Sequence, residues 1–390
     1  MNLKQHLITL FAAAFLVNLL IWLPFMFGYH DGIQTVFKNY DGPNYLVISK
    51  TWYNPTLIAN TFSLPIPLEY YPAHLPGYPL TINVLNLFFN GPWAMLMSTT
   101  LFTGLAVVAF YLMVYKFKLS ADPFWLSIVF LIFPARWLTV KAVGSPEPMF
   151  LFAIIASFFF FKSAFDKVEN NILSKRKIVW VDLLLAGVFG ALAQVTKSPG
   201  ILLWVGYLLY LSIREIRLIR GIGERMGRII VNSLPLMVIP LSALVVFWFY
   251  KIQTGDFLAY FHSGDNFHLF FPPFQAFSAT RSWLGDFWRE DLVWQYLIGA
   301  MTVVWLIKQK YYDFASFAGI FFATTLFVAH RDLARYSLPL LPFSLIAFDG
   351  LLQKKEFKIA LLIIFPAVYL YSVNFIAGNV APIADWAPYL

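Results

Sequence analysis

The chain has 390 residues, of which 60% are hydrophobic, 19% aromatic and only 12% charged. Soluble domains carry about 25% charged residues, so this composition indicates a helical membrane protein. The absence of cysteine excludes a disulfide framework, cysteine-ligated zinc, iron–sulfur clusters and thiol catalysis. The net charge of +8 does not indicate nucleic-acid binding, because in a membrane protein the placement of basic residues mainly sets topology.

Eleven apolar segments are candidate membrane spans, because a span needs about 20 mostly apolar residues. They are residues 7–27, 93–115, 123–140, 149–161, 179–195, 201–213, 229–250, 292–307, 314–328, 338–352 and 359–375. The sequence therefore predicts an all-α, polytopic transmembrane bundle that forms one integral-membrane domain over residues 1–390.

The positions of Lys and Arg predict the orientation of this bundle. With Lys4 in the cytoplasm, the basic stretches 162–177, 214–228 and 354–358 lie there too, as the positive-inside rule requires. The apolar segment 80–89 is half a span long, and a full span here would reverse everything after it. We therefore expect it to be re-entrant or interfacial, in an N-in, C-out topology. Two large extracytoplasmic loops result, residues 28–92 with short interfacial helices and residues 251–291.

Asp41 is the first candidate for chemistry, since it follows the first span and precedes a helix-like run. A carboxylate among aromatic residues near the membrane surface suits a general base. Capping of the helix from Asn44 is an equally good interpretation. Glu147 lies between two prolines at the entry to the span at 149–161. Stabilisation of its carboxylate by the helix dipole is a sufficient explanation for this residue unless Glu147 faces Asp41.

Cations at membrane depth form the second group of candidates, because they are costly there and normally face a partner. Lys197 interrupts an apolar hairpin, and Arg331 and Arg335 are four residues apart between two spans. Arginine pairs bind phosphate oxygens well, although pairing with Asp332 or lipid headgroups is an alternative. Arg136 and Lys141 could extend the same site.

Tyrosine and proline dominate residues 70–79, which suits a sugar or prenyl pocket and equally an interfacial aromatic belt. His262 and His268 are isolated loop histidines, more typical of structural roles than of metal ligands. No His pair with metal-binding spacing occurs. The extracytoplasmic carboxylates could bind a divalent ion, but no arrangement of residues in the sequence demands one.

Taken together, these segments resemble the GT-C superfamily of membrane glycosyltransferases, and within it the PIG-V-like mannosyltransferases. Residues 40–46 are similar to the family's Trp-Asp-x-x-x-Tyr/Phe motif, with Tyr40 in place of Trp. The other similar segments, in family order, are residues 71–80, 145–150, 196–200 and the Arg-Tyr turn at 335–342. Lys197 replaces an expected arginine, and prolines flank Glu147.

The resemblance implies transfer of a hexose, mannose in that family, from a polyprenyl-phosphate donor to a lipid, glycan or protein acceptor. The reaction would invert the anomeric centre, with Asp41 as general base and Glu147 orienting the acceptor. The donor phosphate would be bound by Lys197, His330, Arg331 and Arg335. The sugar or acceptor would be bound by Tyr40, Tyr45, Tyr70, Tyr71 and His74.

A multi-span transporter or flippase of a lipid-linked or sugar substrate is the main alternative, and an accessory scaffold is another. Transporters tend to have inverted repeats around midplane polar residues, whereas here the acids and cations gather at one face. One externally opening cavity lined by Asp41 and the cations would favour the enzyme. The absence of an N-glycosylation sequon favours a prokaryotic cytoplasmic membrane, with the active site on its extracytoplasmic side.

Overall fold

The computed structural model describes residues 2–39, 41–169, 176–264, 268–282 and 289–390. These residues form an all-α fold, which confirms the predicted fold class. Its α-helices are α1 (Leu3–Met26), α2 (Ile33–Phe37), α3 (Gly42–Thr51), α4 (Pro55–Thr61), α5 (Gly77–Leu85), α6 (Gly91–Lys116), α7 (Pro123–Ile132), α8 (Ala135–Val140), α9 (Glu147–Glu169), α10 (Arg176–Thr196), α11 (Ile201–Leu218), α12 (Ile222–Ser233), α13 (Val238–Thr254), α14 (Ala259–His262), α15 (Glu290–Lys308), α16 (Tyr312–Thr325), α17 (Leu333–Tyr336), α18 (Leu341–Ala347), α19 (Asp349–Leu352) and α20 (Lys355–Gly378).

Seven helical segments of the described residues are long and apolar enough to cross a membrane. They are Leu3–Met26, Gly91–Lys116, Glu147–Asp166, Val179–Thr196, Ile222–Thr254, Glu290–Lys308 and Lys355–Gly378. The other four predicted spans coincide with α7–α8, α11, α16 and α18–α19, which are shorter, interrupted or more polar. The count of eleven spans therefore stays a prediction.

Side-chain caps begin several of these helices. Asn2 accepts a hydrogen bond from the backbone N–H of Gln5, and Asn90 and Asp122 cap α6 and α7 in the same way. Each cap satisfies a backbone donor that the first helical turn leaves open. These polar residues therefore mark where apolar helices begin.

The predicted first loop is a packed layer. In α3 every residue except Lys50 is buried, and α5 has nine residues, too few to cross a bilayer. The Tyr78 hydroxyl of α5 donates to the Met95 carbonyl of α6 at 3.0 Å and accepts from the backbone N–H of Ser145 at 3.1 Å. Tyr78 thereby fixes the turn that leads into α9.

Gly77 allows α5 to begin directly against the end of α10. A Cβ atom at this position would lie 2.7 Å from the Val195 carbonyl oxygen and 3.0 Å from the Thr196 hydroxyl. Only glycine permits this approach without a shift of backbone. The first loop consequently rests on the turn that carries Lys197.

The ends of the long helices form two clusters, one at each end of the bundle. The end of α1, the start of α9 and the end of α10 lie at one end of the bundle, with the first loop. Lys116 and Lys162 lie at the other end, where they bind Ser163 at 2.6 Å and Asp313 at 2.9 Å.

Candidate functional site

Asp41 lies immediately before α3, yet its side chain does not cap that helix. Its Oδ2 accepts a hydrogen bond from Arg335 Nη1 at 2.9 Å, and its Oδ1 lies 3.8 Å from His74 Nε2. The capping interpretation therefore does not describe this side chain. Tyr40 lies outside the described residues.

The charge of Asp41 is set by competing effects. Burial raises the pKa of this carboxyl group, but the Arg335 guanidinium and His74 together outweigh burial and lower the pKa to about 2. Asp41 is therefore a carboxylate at any physiological pH, the form that a general base requires.

Glu147 is the first residue of α9 and is 2% exposed. Its Oε1 accepts hydrogen bonds from Arg335 Nε at 2.6 Å and from Lys197 Nζ at 2.7 Å, while Ser145 Oγ donates to its Oε2. Glu147 therefore faces Asp41 across a shared guanidinium. Charge-assisted bonds of this length are the stronger class of protein hydrogen bond.

Arg335 connects the two acids from the short helix α17. Its Nε–H donates a hydrogen bond to Glu147, and one Nη1–H donates a hydrogen bond to Asp41. A guanidinium has five N–H donors, so three remain for another acceptor. Arg335 is also part of the wall of a cavity, which places those donors beside open space.

A polar cavity of about 620 Å³ opens next to this cluster. Four arginines and three aspartates line it among the described residues, an excess of one positive charge. They are Arg136, Arg289, Arg331 and Arg335 with Asp41, Asp291 and Asp332. Tyr70, His268, His330 and Tyr336 also line it, as do Tyr371, Phe375 and Asn379 from α20 and its C-cap.

The arginines of this cavity differ in their partners. Arg136 Nε donates to Asp332 Oδ1 at 2.8 Å, and the Arg136 guanidinium stacks 3.8 Å from the Phe375 ring centroid. Arg289 pairs with Asp291 at 3.3 Å. Arg331 is exposed and makes no ion pair with the part of the chain that the structure describes. It is the cation best placed for an incoming anion.

Two predicted cations lie away from the large cavity. Lys197 contacts Glu147 and borders a small void of about 20 Å³ behind Arg335. Lys141 is fully buried, and its Nζ donates to Asn18 Oδ1 at 2.8 Å inside the bundle. Lys141 therefore does not extend the site, whereas Arg136 does.

The predicted sugar residues separate into a wall and a supporting layer. Tyr70 lines the cavity, and the Tyr45 and Tyr70 rings contact His74 edge-on at centroid distances of 5.0 and 5.3 Å. His74 therefore lies on the buried side of Asp41, away from the cavity. Tyr71 is 2% exposed and lies in the apolar core of the first loop, away from the cavity wall.

His330 sits at the cavity rim with its Nδ1 accepting the Asp332 backbone N–H at 2.9 Å. Burial first, and then His268 at a ring distance of 4.6 Å, lower the pKa of His330 to about 4. His330 is therefore neutral at physiological pH, so it can donate one hydrogen bond from Nε2 but supplies no charge.

An apolar groove of about 400 Å³ adjoins the polar cavity. His268 and Tyr336 line both spaces, which therefore meet at these two side chains. Leu202, Val246 and Phe321 are typical of the groove wall. A ligand with a charged head and a hydrocarbon chain would match this arrangement. Within the described residues no three His, Asp or Glu side chains gather as metal ligands would.

Comparison with solved structures identifies the class of fold. An Archaeoglobus fulgidus oligosaccharyltransferase, AglB, in complex with an inhibitory peptide and a dolichol-phosphate, is similar at TM-score 0.57 and 13% identity over 98% of this chain and 57% of that chain. Its apo form gives TM-score 0.56 and 13% identity, over 97% and 57%. The chain thus has a GT-C glycosyltransferase fold and spans little more than half the length of these proteins.

A family model described as dolichyl-phosphate-mannose-protein mannosyltransferase matches residues 62–257, which is half of the chain. The chain belongs to this family. The GT-C resemblance is confirmed, and protein mannosyltransferases are the matching family within it, where the motifs alone suggest PIG-V-like enzymes. The matched residues include His74, Glu147 and Lys197 and end before Arg335.

The S. cerevisiae protein O-mannosyltransferase complex Pmt1–Pmt2 bound to the sugar donor gives 14% identity over 72% of this chain and 37% of that chain. Its TM-score of 0.42 is too low to carry an argument about fold. No curated protein sequence matches the chain.

Proposed function

We propose that this protein is an integral-membrane glycosyltransferase that moves a hexose, mannose by family membership, from a dolichyl- or polyprenyl-phosphate donor to an acceptor hydroxyl. The observation that carries the proposal is the position of Asp41, Arg331 and Arg335 on one cavity that adjoins an apolar groove. The family name favours a protein acceptor over a lipid or glycan.

The charges of the cavity fit a phosphodiester headgroup. Its lining carries an excess of one positive charge, and a sugar phosphodiester carries one negative charge. Arg331 and the remaining N–H groups of Arg335 would bind the phosphate, and His330 would donate one neutral hydrogen bond. The prenyl chain would pass between His268 and Tyr336 into the apolar groove.

The reaction is a single displacement with inversion. The acceptor oxygen attacks the anomeric carbon, its proton passes to Asp41, and the bond between that carbon and the phosphate oxygen breaks. Negative charge then grows on the leaving polyprenyl phosphate, where Arg331 and Arg335 stabilise it. Because the phosphate shares the charge of Arg335, donor binding raises the pKa of Asp41 and makes it a stronger base.

The site lies at the end of the bundle opposite Lys116 and Lys162, which supports an extracytoplasmic active site under the positive-inside rule. A prokaryotic cytoplasmic membrane agrees with the missing sequon. A bound divalent ion is not needed in this scheme, since Arg335 already occupies one oxygen of Asp41 and one of Glu147.

Purified protein incubated with labelled polyprenyl-phosphate hexoses and a panel of peptide, glycan and lipid acceptors tests the proposal. We expect label on an acceptor, with mannose the preferred sugar and an inverted anomeric configuration. Label that crosses a vesicle membrane still attached to its lipid, with no acceptor product, would instead identify a flippase.

A further inference from the structure

Glu147 and Lys197 form a pair that lies behind Arg335 and away from the large cavity. The side chains of Glu147 and Lys197 are 3% and 22% exposed, and their 2.7 Å contact joins the start of α9 to the end of α10. Neither lines the 620 Å³ cavity, although both border the small void beside Arg335. They are therefore close to the site without facing a ligand in it.

The charges of this cluster balance without any ligand. Asp41 and Glu147 contribute two negative charges, and Arg335 and Lys197 contribute two positive ones. Loss of Lys197 would leave an uncompensated buried carboxylate, which is strongly unfavourable. That carboxylate would also draw Arg335 away from Asp41 and from a phosphate.

The guanidinium plane of Arg335 is fixed at two edges, by Glu147 on Nε at 2.6 Å and by Asp41 on Nη1 at 2.9 Å. Two such bonds define the orientation of a planar group, and the other N–H donors then point in fixed directions. The direction of those donors sets where a phosphate binds relative to Asp41.

We propose, on the basis of the function proposed above, that Glu147 and Lys197 are a positioning pair: Glu147 sets the plane of Arg335, and Lys197 neutralises Glu147 and makes no contact with the donor phosphate. Glu147 is then neither an acceptor ligand nor a base, and Lys197 acts only through Glu147.

A double-mutant cycle with Glu147→Gln and Lys197→Met tests the pair. Lys197→Met alone should lower kcat/KM at least tenfold, but less than threefold in the Glu147→Gln background, because the double variant restores neutrality. Arg331→Ala is the matched control, and its loss should be the same factor in both backgrounds. A tenfold or greater loss from Lys197→Met in both backgrounds would overturn the proposal, because a direct phosphate contact behaves in that way.

Glu147→Asp separates positioning from a purely structural role. It keeps the charge balance but shortens the side chain, so we expect an unfolding temperature close to that of the wild type and a kcat reduced at least tenfold. Undiminished kcat in this variant would refute the positioning role.

Thermal unfolding of the same four proteins without donor keeps the pair testable if the proposed function fails. Wild-type protein that transfers no sugar would refute the proposed function alone. Each single variant should still unfold at a lower temperature than the double variant, and a double variant less stable than both singles would refute the pair.

Discussion

Asp41→Asn is the most informative single substitution. The two side chains have nearly the same shape, and an asparagine Oδ1 can still accept the Arg335 hydrogen bond that measures 2.9 Å in the wild type. The substitution therefore removes the negative charge and the proton acceptor while it preserves packing. We expect it to abolish measurable transfer without unfolding the protein.

The size of both effects follows from the site. General-base catalysis contributes about 10²–10⁴ in rate, so kcat/KM should fall by that factor, or about 3–5 kcal/mol in activation free energy. The pKa of Asp41 lies at about 2 against an ordinary 3.8, so its charge stabilises the fold by about 2 kcal/mol. This contribution is present above pH 4 and is lost as the pH falls toward 2.

The assay is transfer of labelled hexose by protein in detergent or nanodiscs, with thermal unfolding measured on the same samples. Asp31→Asn is the matched control, because Asp31 lies in the same loop region, has a side chain that is 67% exposed and pairs with Lys38. If Asp41→Asn kept more than a tenth of the wild-type kcat/KM, Asp41 would not be the base.

Three further predictions concern neighbouring residues. Arg335→Gln removes the positive charge that offsets the burial of Asp41, so the pKa of Asp41 should rise. The loss of kcat/KM at acidic pH should then begin at a higher pH, whereas the wild type should show no such loss between pH 8 and 4. An unchanged pH profile would contradict the Asp41–Arg335 pairing. Arg331→Ala should raise the KM for the donor about tenfold to 100-fold, as expected for loss of a hydrogen bond to a charged group. The control Arg228→Ala changes an exposed arginine paired with Glu224 and should leave the donor KM unchanged. Equal effects of Arg331→Ala and Arg228→Ala on this KM would contradict a phosphate site at Arg331. Gly77→Ala should lower the free energy of unfolding by about 1–3 kcal/mol because its Cβ would meet the Val195 carbonyl at 2.7 Å, while Gly223→Ala, with open space around it, should not; equal unfolding temperatures would refute this close packing.

Composition and apolar periodicity were sufficient to predict the all-α membrane fold. In a bilayer every backbone polar group must be hydrogen-bonded within the protein, which restricts spanning structures to helices and closed barrels. The convergence of Asp41 with Arg335, 294 residues apart in the chain, followed only from the family resemblance. Periodicity carries no information on such long-range contacts. Tyr71 shows the same limit of sequence patterns. A tyrosine in a Tyr-Pro segment has the same sequence context whether it lines a cavity or lies in an apolar core.

The wall that α20 contributes could not be read from the sequence either. Tyr371, Phe375 and Asn379 occur at the end of an apolar segment and look like any other span terminus. Arg289 and Asp291 likewise resemble an ordinary charged start of a helix. The packing of α20 against α8 brings the Phe375 ring beside Arg136.

An experimental density map of the protein with a bound polyprenyl-phosphate hexose would show where the donor binds. We expect the phosphate between Arg331 and Arg335, the anomeric carbon within reach of an acceptor held by Asp41, and the prenyl chain in the groove beyond Tyr336. A headgroup bound at the Lys116 and Lys162 end of the bundle, or one that leaves Asp41 and Arg335 untouched, would contradict this expectation.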